Sequence, residues 1–214
     1  MVDMLILYNT GLSKLNDMIR KFTLVILITT FSMIAMLSNA TNYYSQGNLP
    51  MVTTTNWNSN PGGGGSSPSV FTTPGDSFFI QSTHTMTGSW TSAAGVILTV
   101  NGSWTTAGGT VGYIYISSTG SISLGATLNV KNDWTNSGSF TSAASTVVFN
   151  GTTTQTLESG GTGAGKAFRS ITFSNTSQPV TLTKNLDVTL TLTISASSAL
   201  SSGSYNIKVG AILI

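Results

Sequence analysis

Over residues 76–214 the chain alternates short apolar runs with Gly, Asn, Ser and Thr. The alternation has the two-residue period of a half-buried strand, not the 3.6-residue period of a helix. Strands are predicted at 77–81, 96–100, 113–116, 127–130 and 146–149, then at 170–173, 180–183, 189–194 and 205–209. Each is bounded by Gly, Asn or Ser, residues that turn the chain. The pattern is cleanest near the end, where Leu190, Leu192 and Ile194 are expected on one side and Thr189, Thr191 and Thr193 on the other. Two all-β architectures fit short strands in regular series: a β-sandwich, or a parallel β-helix in which each turn stacks on the last.

A second element recurs between the strands. Gly88-Ser89-Trp90-Thr91, Gly102-Ser103-Trp104-Thr105 and Asn132-Asp133-Trp134-Thr135 each join a turn to an aromatic and a Thr, and Gly138-Ser139-Phe140-Thr141 repeats the form with Phe. One aromatic at an equivalent place in successive coils would stack on its neighbours inside a continuous core. This favours the β-helix, with about seven coils forming a rod about 35 Å long at ~4.8 Å per coil. The sandwich remains the alternative. Residues 41–75 form a lead-in, where Pro61, the Gly run 62–65 and Pro68 predict loop. Trp57 in this segment is expected to cover the open end of the core, since a solenoid needs a cap. Its neighbours Asn56 and Asn58 also make Trp57 a candidate glycan contact.

The N-terminus bears on compartment. Met18-Ile19-Arg20-Lys21 is followed by an apolar run over 22–37 and then Ser38-Asn39-Ala40. A basic start, an apolar stretch and small residues at the −3 and −1 positions predict a secretory signal-peptide helix over 18–40, cleaved after Ala40. Because the basic pair follows Met18, translation is expected to start there, with residues 1–17 belonging to an over-extended frame. The apolar run is short for a membrane span, and no basic flank follows it. The chain is therefore expected to be secreted or to sit on the outer cell surface, with no membrane span in the mature part. It has no Cys, so neither a lipidated N-terminal Cys nor a disulfide is available, and packing and hydrogen bonding must hold the fold.

Only 7% of the residues are charged, with a net charge of +2. No basic cluster tracks a groove, so no nucleic-acid partner is expected. The acids of the mature part are Asp76, Asp133, Glu158 and Asp187, too scattered for the carboxylate pair of a glycosidase or for a calcium site. His84 is the only His, with Asp76 the nearest acid in sequence, which is thin material for a catalytic triad and leaves no metal-ligand set. The run Gly160-Gly161-Thr162-Gly163-Ala164-Gly165-Lys166 resembles a phosphate loop, but Ala167 follows the Lys where Ser or Thr is required, so it is read as a flexible corner loop. No catalytic residue, cofactor or metal is expected.

The stretches Leu128-Asn129-Val130-Lys131-Asn132-Asp133-Trp134-Thr135-Asn136-Ser137-Gly138-Ser139-Phe140-Thr141, Thr146-Val147-Val148-Phe149-Asn150-Gly151-Thr152-Thr153-Thr154-Gln155-Thr156-Leu157 and Phe168-Arg169-Ser170-Ile171-Thr172-Phe173 resemble the right-handed β-helix repeats of large secreted and surface proteins of the Bacteroidota. The lead-in around Trp57 and Phe71-Thr72-Thr73-Pro74-Gly75-Asp76 resembles the N-terminal part of such proteins. The resemblance implies adhesin-like or surface-layer roles and type IX export, a route that normally uses a C-terminal sorting domain not visible here. The chain is read as the N-terminal part of a larger protein or a frameshifted copy. The expected function is a non-catalytic structural or adhesin-like module, with extracellular glycans or other surface proteins as partners. The alternatives are a carbohydrate-binding or carbohydrate-active β-helix and, prompted by 189–193, an ice-binding solenoid. The last would need Thr pairs at the same place in successive coils, and Thr-x-Thr recurs irregularly along the sequence.

Overall fold

The structure is a computed structural model that describes residues 40–213 and, before them, Met18. The chain divides into two units, Met1–Asn39 and Ala40–Ile214, and the second is described below. The predicted signal peptide and the extension before it lie, Met18 and Ala40 apart, outside the described residues.

Two strands, β1 (Asn42–Ser45) and β2 (Trp57–Asn58), precede the coils, with a 3-10 turn at Thr54–Asn56 between them. The first coil is β3 (Ser77–Ile80), β4 (Thr85–Thr87) and β5 (Trp90–Thr91), and the second is β6 (Ile97–Val100), β7 (Ser103–Thr106) and β8 (Gly109–Val111). The third is β9 (Tyr113–Ile116), β10 (Ser121–Leu124) and β11 (Leu128–Val130). The fourth is β12 (Trp134–Asn136), β13 (Ser139–Ser142) and β14 (Thr146–Phe149). Later coils have two strands each: β15 (Gln155–Glu158) with β16 (Phe168–Phe173), β17 (Val180–Leu182) with β18 (Leu186–Ile194), and β19 (Leu200–Ser201) with β20 (Ile207–Leu213).

Each face of the coil belongs to one sheet. The three sheets run β19-β17-β15-β12-β9-β6-β3-β1-β2, β13-β10-β7-β4 and β20-β18-β16-β14-β11-β8-β5. Sheet neighbours are thus strands from successive coils, and among the named strands only β1 and β2 pair antiparallel. A sandwich would need antiparallel partners within each sheet. The fold is a parallel β-solenoid of about seven coils.

Alternation within each strand fills the interior. Phe78, Leu98, Ile114, Trp134, Leu157 and Leu182 lie in register on the inner side of the first sheet, all buried. Met86, Trp104, Ile122 and Phe140 do the same in the second, as do Val111, Val130, Phe149 and Phe173 in the third. The aromatics are buried, but they do not form one ladder. Trp90 lies on the third sheet, Trp134 on the first, and Trp104 and Phe140 on the second with Ile122 between them. All but Trp104 gather instead in two clusters. Trp90 meets Trp57, Phe71 and Phe78 at the start of the coils, and Trp134, Phe140 and Phe168 meet at centroid distances of 4.9–5.3 Å further along. The segments that look alike in sequence fall on different faces because their aromatics are 14, 30 and 6 residues apart, whereas strands of the second sheet recur every 18 residues.

The lead-in adds to the first sheet: β1 pairs parallel with β3, and β2 closes that sheet's edge. One further expectation is corrected. The alternation of 189–194 does not hold throughout, since Leu190 is 45% exposed. Between Val188 and Thr191, β18 carries one residue more than either β16 or β20. This bulge turns the strand through a corner, so its first half occupies the position that β4, β7, β10 and β13 fill in earlier coils.

Candidate functional site

The residues singled out from sequence are placed first. Trp57 has no exposed surface; its Nε1 donates to the Met51 carbonyl at 3.0 Å and its ring meets Phe78 edge-on at 5.2 Å. An indole with no free face cannot stack on a sugar. Asn56 Nδ2 donates to the Pro50 carbonyl, while Asn58 Oδ1 accepts from the backbone of Asn60 and Gly65. Both amides are occupied in shaping the lead-in. Asp76 Oδ1 accepts from the Thr41 amide at 2.9 Å. His84 Nδ1 lies 2.8 Å from Ser45 Oγ and accepts from the Gly47 amide at 3.1 Å. Asp76 and His84 therefore staple β1 to the first coil. Lys166 is likewise engaged: its Nζ donates to the carbonyls of Asn136, at 3.3 Å, and Gly138. The predicted corner loop 160–166 is fastened rather than free.

The residues that do face solvent together are different ones. On the outer side of the first sheet, Tyr44, Phe79, Thr99 and Tyr115 stand in register on β1, β3, β6 and β9. Tyr44 and Phe79 stack at 5.2 Å with 19° between their planes. Beside this pair the corner of the coils opens a groove of about 440 Å³, with Pro61 from the lead-in and Gln81, Ser82, Asn101 and Thr119 completing its walls. Pro61 is held there because Gln81 Nε2 donates to its carbonyl at 3.0 Å and to that of Ser45 at 2.7 Å. Thr119 Oγ1 donates to the Asn101 carbonyl at 3.0 Å, fixing the far wall. Among the described residues the Asn101 amide group itself has no hydrogen-bond partner, so it is available to a ligand.

No lining residue carries a charge. The groove combines an aromatic platform with amide and hydroxyl groups, which suits a neutral polyhydroxylated ring: C–H faces against Tyr44 and Phe79, hydroxyls against Asn101 and Thr119. Further along the same face Tyr115 has its hydroxyl pKa raised, first by burial, then by the charge of Asp133 and by Tyr113. Sequence reading missed this site because Tyr44 and Phe79 lie 35 positions apart and meet only through the pairing of β1 with β3.

The architecture and this surface define a class: a parallel β-solenoid with an outward-facing aromatic groove. No family model matches the chain, and no curated protein or solved structure is significantly similar to it. No helix among the described residues is long and apolar enough to cross a membrane.

Proposed function

We propose that the chain is a non-catalytic, exported surface module, adhesin-like in role, in which the solenoid is a stiff spacer and the groove beside Tyr44 and Phe79 holds a neutral glycan. The observation that carries this reading is the uncharged groove, where a stacked aromatic pair lies beside the unpaired Asn101 side-chain amide and the hydroxyls of Ser82 and Thr119. The signal-like segment 18–40 supports export, and the resemblance to Bacteroidota surface repeats supports the adhesin-like role. Stiffness follows from the continuous backbone ladders and the buried core running through the coils.

Titration calorimetry against a panel of neutral oligosaccharides tests the groove. Phe79→Ala is expected to weaken a bound glycan about tenfold, corresponding to roughly 1–1.5 kcal/mol of lost stacking. Trp57→Phe, which alters only the interior, leaves affinity unchanged in the fraction that folds. A panel without a binder, or affinity indifferent to Phe79, would overturn glycan recognition in this groove.

A further inference from the structure

The second sheet has an outer face unlike the others. Its four strands begin at Thr85, Ser103, Ser121 and Ser139 in register, so that successive members are 18 residues apart. Two positions on, Thr87, Thr105, Ser123 and Thr141 form a second rank. Every outward position in both ranks carries a hydroxyl and none carries a charge. We propose that this face binds ice.

The geometry supports the assignment at three levels. Backbone pairing sets the spacing between coils at about 4.7–4.9 Å, and the strand repeat sets the spacing between ranks at about 6.6 Å. Hydroxyls held on such a net fix water molecules in a two-dimensional array, the property a crystalline surface of water can recognise. Rigidity comes from beneath. Between the two hydroxyls of each strand lies a buried side chain, respectively Met86, Trp104, Ile122 and Phe140, each at most 1% exposed. Chemistry then favours the outer rank. All four of its residues are exposed, and three are Thr, whose methyl groups displace liquid water between the hydroxyl-anchored positions. In the inner rank Ser103 and Ser121 are hydrogen-bonded to each other at 2.8 Å, so their orientation is fixed along the ladder. Absence of charge matters because an ion orders water radially, against a lattice.

The face is also bounded. Below it, Pro50 bridges to Thr87 and the Met51 amide donates to the Thr87 carbonyl. Above it, the Phe140 amide donates to the Gly165 carbonyl at 2.7 Å, and Ser142 Oγ accepts from the Arg169 amide. Neither edge of the sheet is open to another strand, which leaves the hydroxyl face, about 15 Å across four strands, as its contact surface. A neutral, periodic face is complementary to a neutral, periodic ligand, and ice meets both conditions. This site is separate from the aromatic groove and does not rest on it.

Thermal hysteresis and incorporation into a growing ice hemisphere, measured on the purified protein, test the proposal. Both are expected, and Thr105→Tyr, which raises a bulky ring from the middle of the face, should reduce hysteresis severalfold while circular dichroism is unchanged. Ser123→Thr, which adds the missing methyl to the outer rank, should increase it, and serves as the test if Thr105→Tyr fails to fold. Phe79→Ala should leave ice activity intact, separating this face from the groove. Absence of hysteresis and of incorporation in the unaltered protein, or insensitivity to both Thr105→Tyr and Ser123→Thr, would overturn the assignment. So would binding to insoluble cellulose or chitin that Thr105→Tyr abolishes while ice activity is absent, since the face would then belong to crystalline polysaccharide.

Discussion

Trp104 and Trp134 show how one residue type acquires two energetic roles. Both rings have no exposed surface, but Trp104 Nε1 donates to the Gly88 carbonyl at 3.0 Å while Trp134 Nε1 finds no partner. A buried donor without an acceptor keeps its desolvation cost. Trp104→Phe should therefore destabilise the fold by about 1 kcal/mol more than Trp134→Phe in urea unfolding, because each loses similar volume but only one loses a hydrogen bond. Gln155 is the opposite case, a fully buried amide with complete pairing: it accepts from the Gly151 amide and from Asn175, and donates to the carbonyls of Val130 and Asn132. Gln155→Leu strands several of these groups at once and is expected to cost about 3 kcal/mol or more by the same assay. Tyr115 ties stability to alkali. Its pKa in the folded state is raised by burial, by Asp133 and by Tyr113, so the folded chain holds this proton longer than the unfolded one. The contribution is complete below the ordinary tyrosine value of about 10 and is lost as pH rises through the folded value. Ultraviolet titration of Tyr115→Phe against the parent should remove a tyrosine signal that ionises above the ordinary tyrosine value and flatten the alkaline fall in stability.

At the level of elements, the corners between strands decide how closely coils approach. Gly112 sits at a buried corner where an added Cβ would lie 2.8 Å from the Ala93 carbonyl oxygen and 2.9 Å from the Val96 amide nitrogen. Backbone cannot move aside without parting two coils, so Gly112→Ala is expected to cost about 2–4 kcal/mol. Gly88, at a φ of +89° with nothing within 4 Å of the added atom, meets only the left-handed penalty, and Gly88→Ala should cost about 1–2 kcal/mol. Differential scanning calorimetry of the pair separates steric contact from backbone strain. Strand positions were legible in sequence: 113–116 and 146–149 coincide with β9 and β14, because their inward residues, Ile114, Ile116, Val147 and Phe149, alternate without interruption. The corner in β18 was not legible. Thr189-Leu190-Thr191 alternates like any strand, and only pairing with β16 and β20 reveals the additional residue.

For the molecule as a whole, stability should follow the stacking. A coil in the middle has neighbours on both sides, whereas among the described residues β19 and β20 pair on one side only, and Tyr205 and Ile207 beside them are 38% and 37% exposed. Hydrogen exchange is expected to show greatest protection across β6–β14 and progressively less toward β20. Uniform protection would mean that the coils open only as one unit. The first coil is better secured than the last because Asp76 and His84, the residues that first suggested chemistry, bind the lead-in onto it.

Sequence alone determined nine of the twenty strands among the described residues and the broad class, since strand periodicity and turn residues are local properties and Cys-free, charge-poor composition is read by counting; it missed the second sheet, β4, β7, β10 and β13, whose short strands lie in segments read as turns. Alternation within a strand is local as well and runs Phe78, Leu98 and Phe149 into the interior, but the one side assigned from sequence, over 189–194, fails at Leu190. Tertiary structure decided which residues share a face. The aromatics predicted to stack fall on three sheets, the aromatic pair on an outer side is the half-buried Tyr44 and Phe79 rather than the fully buried Trp57, and the hydroxyl face is made of Thr-Met-Thr, Ser-Trp-Thr, Ser-Ile-Ser and Ser-Phe-Thr, whose common 18-residue spacing is hidden by their different central residues. The physical reason is register. Hydrogen bonds between strands of successive coils, 20 positions apart for β3 and β6, 16 for β6 and β9 and 18 along the second sheet, bring residues into line, and alternation within a strand does not encode that alignment.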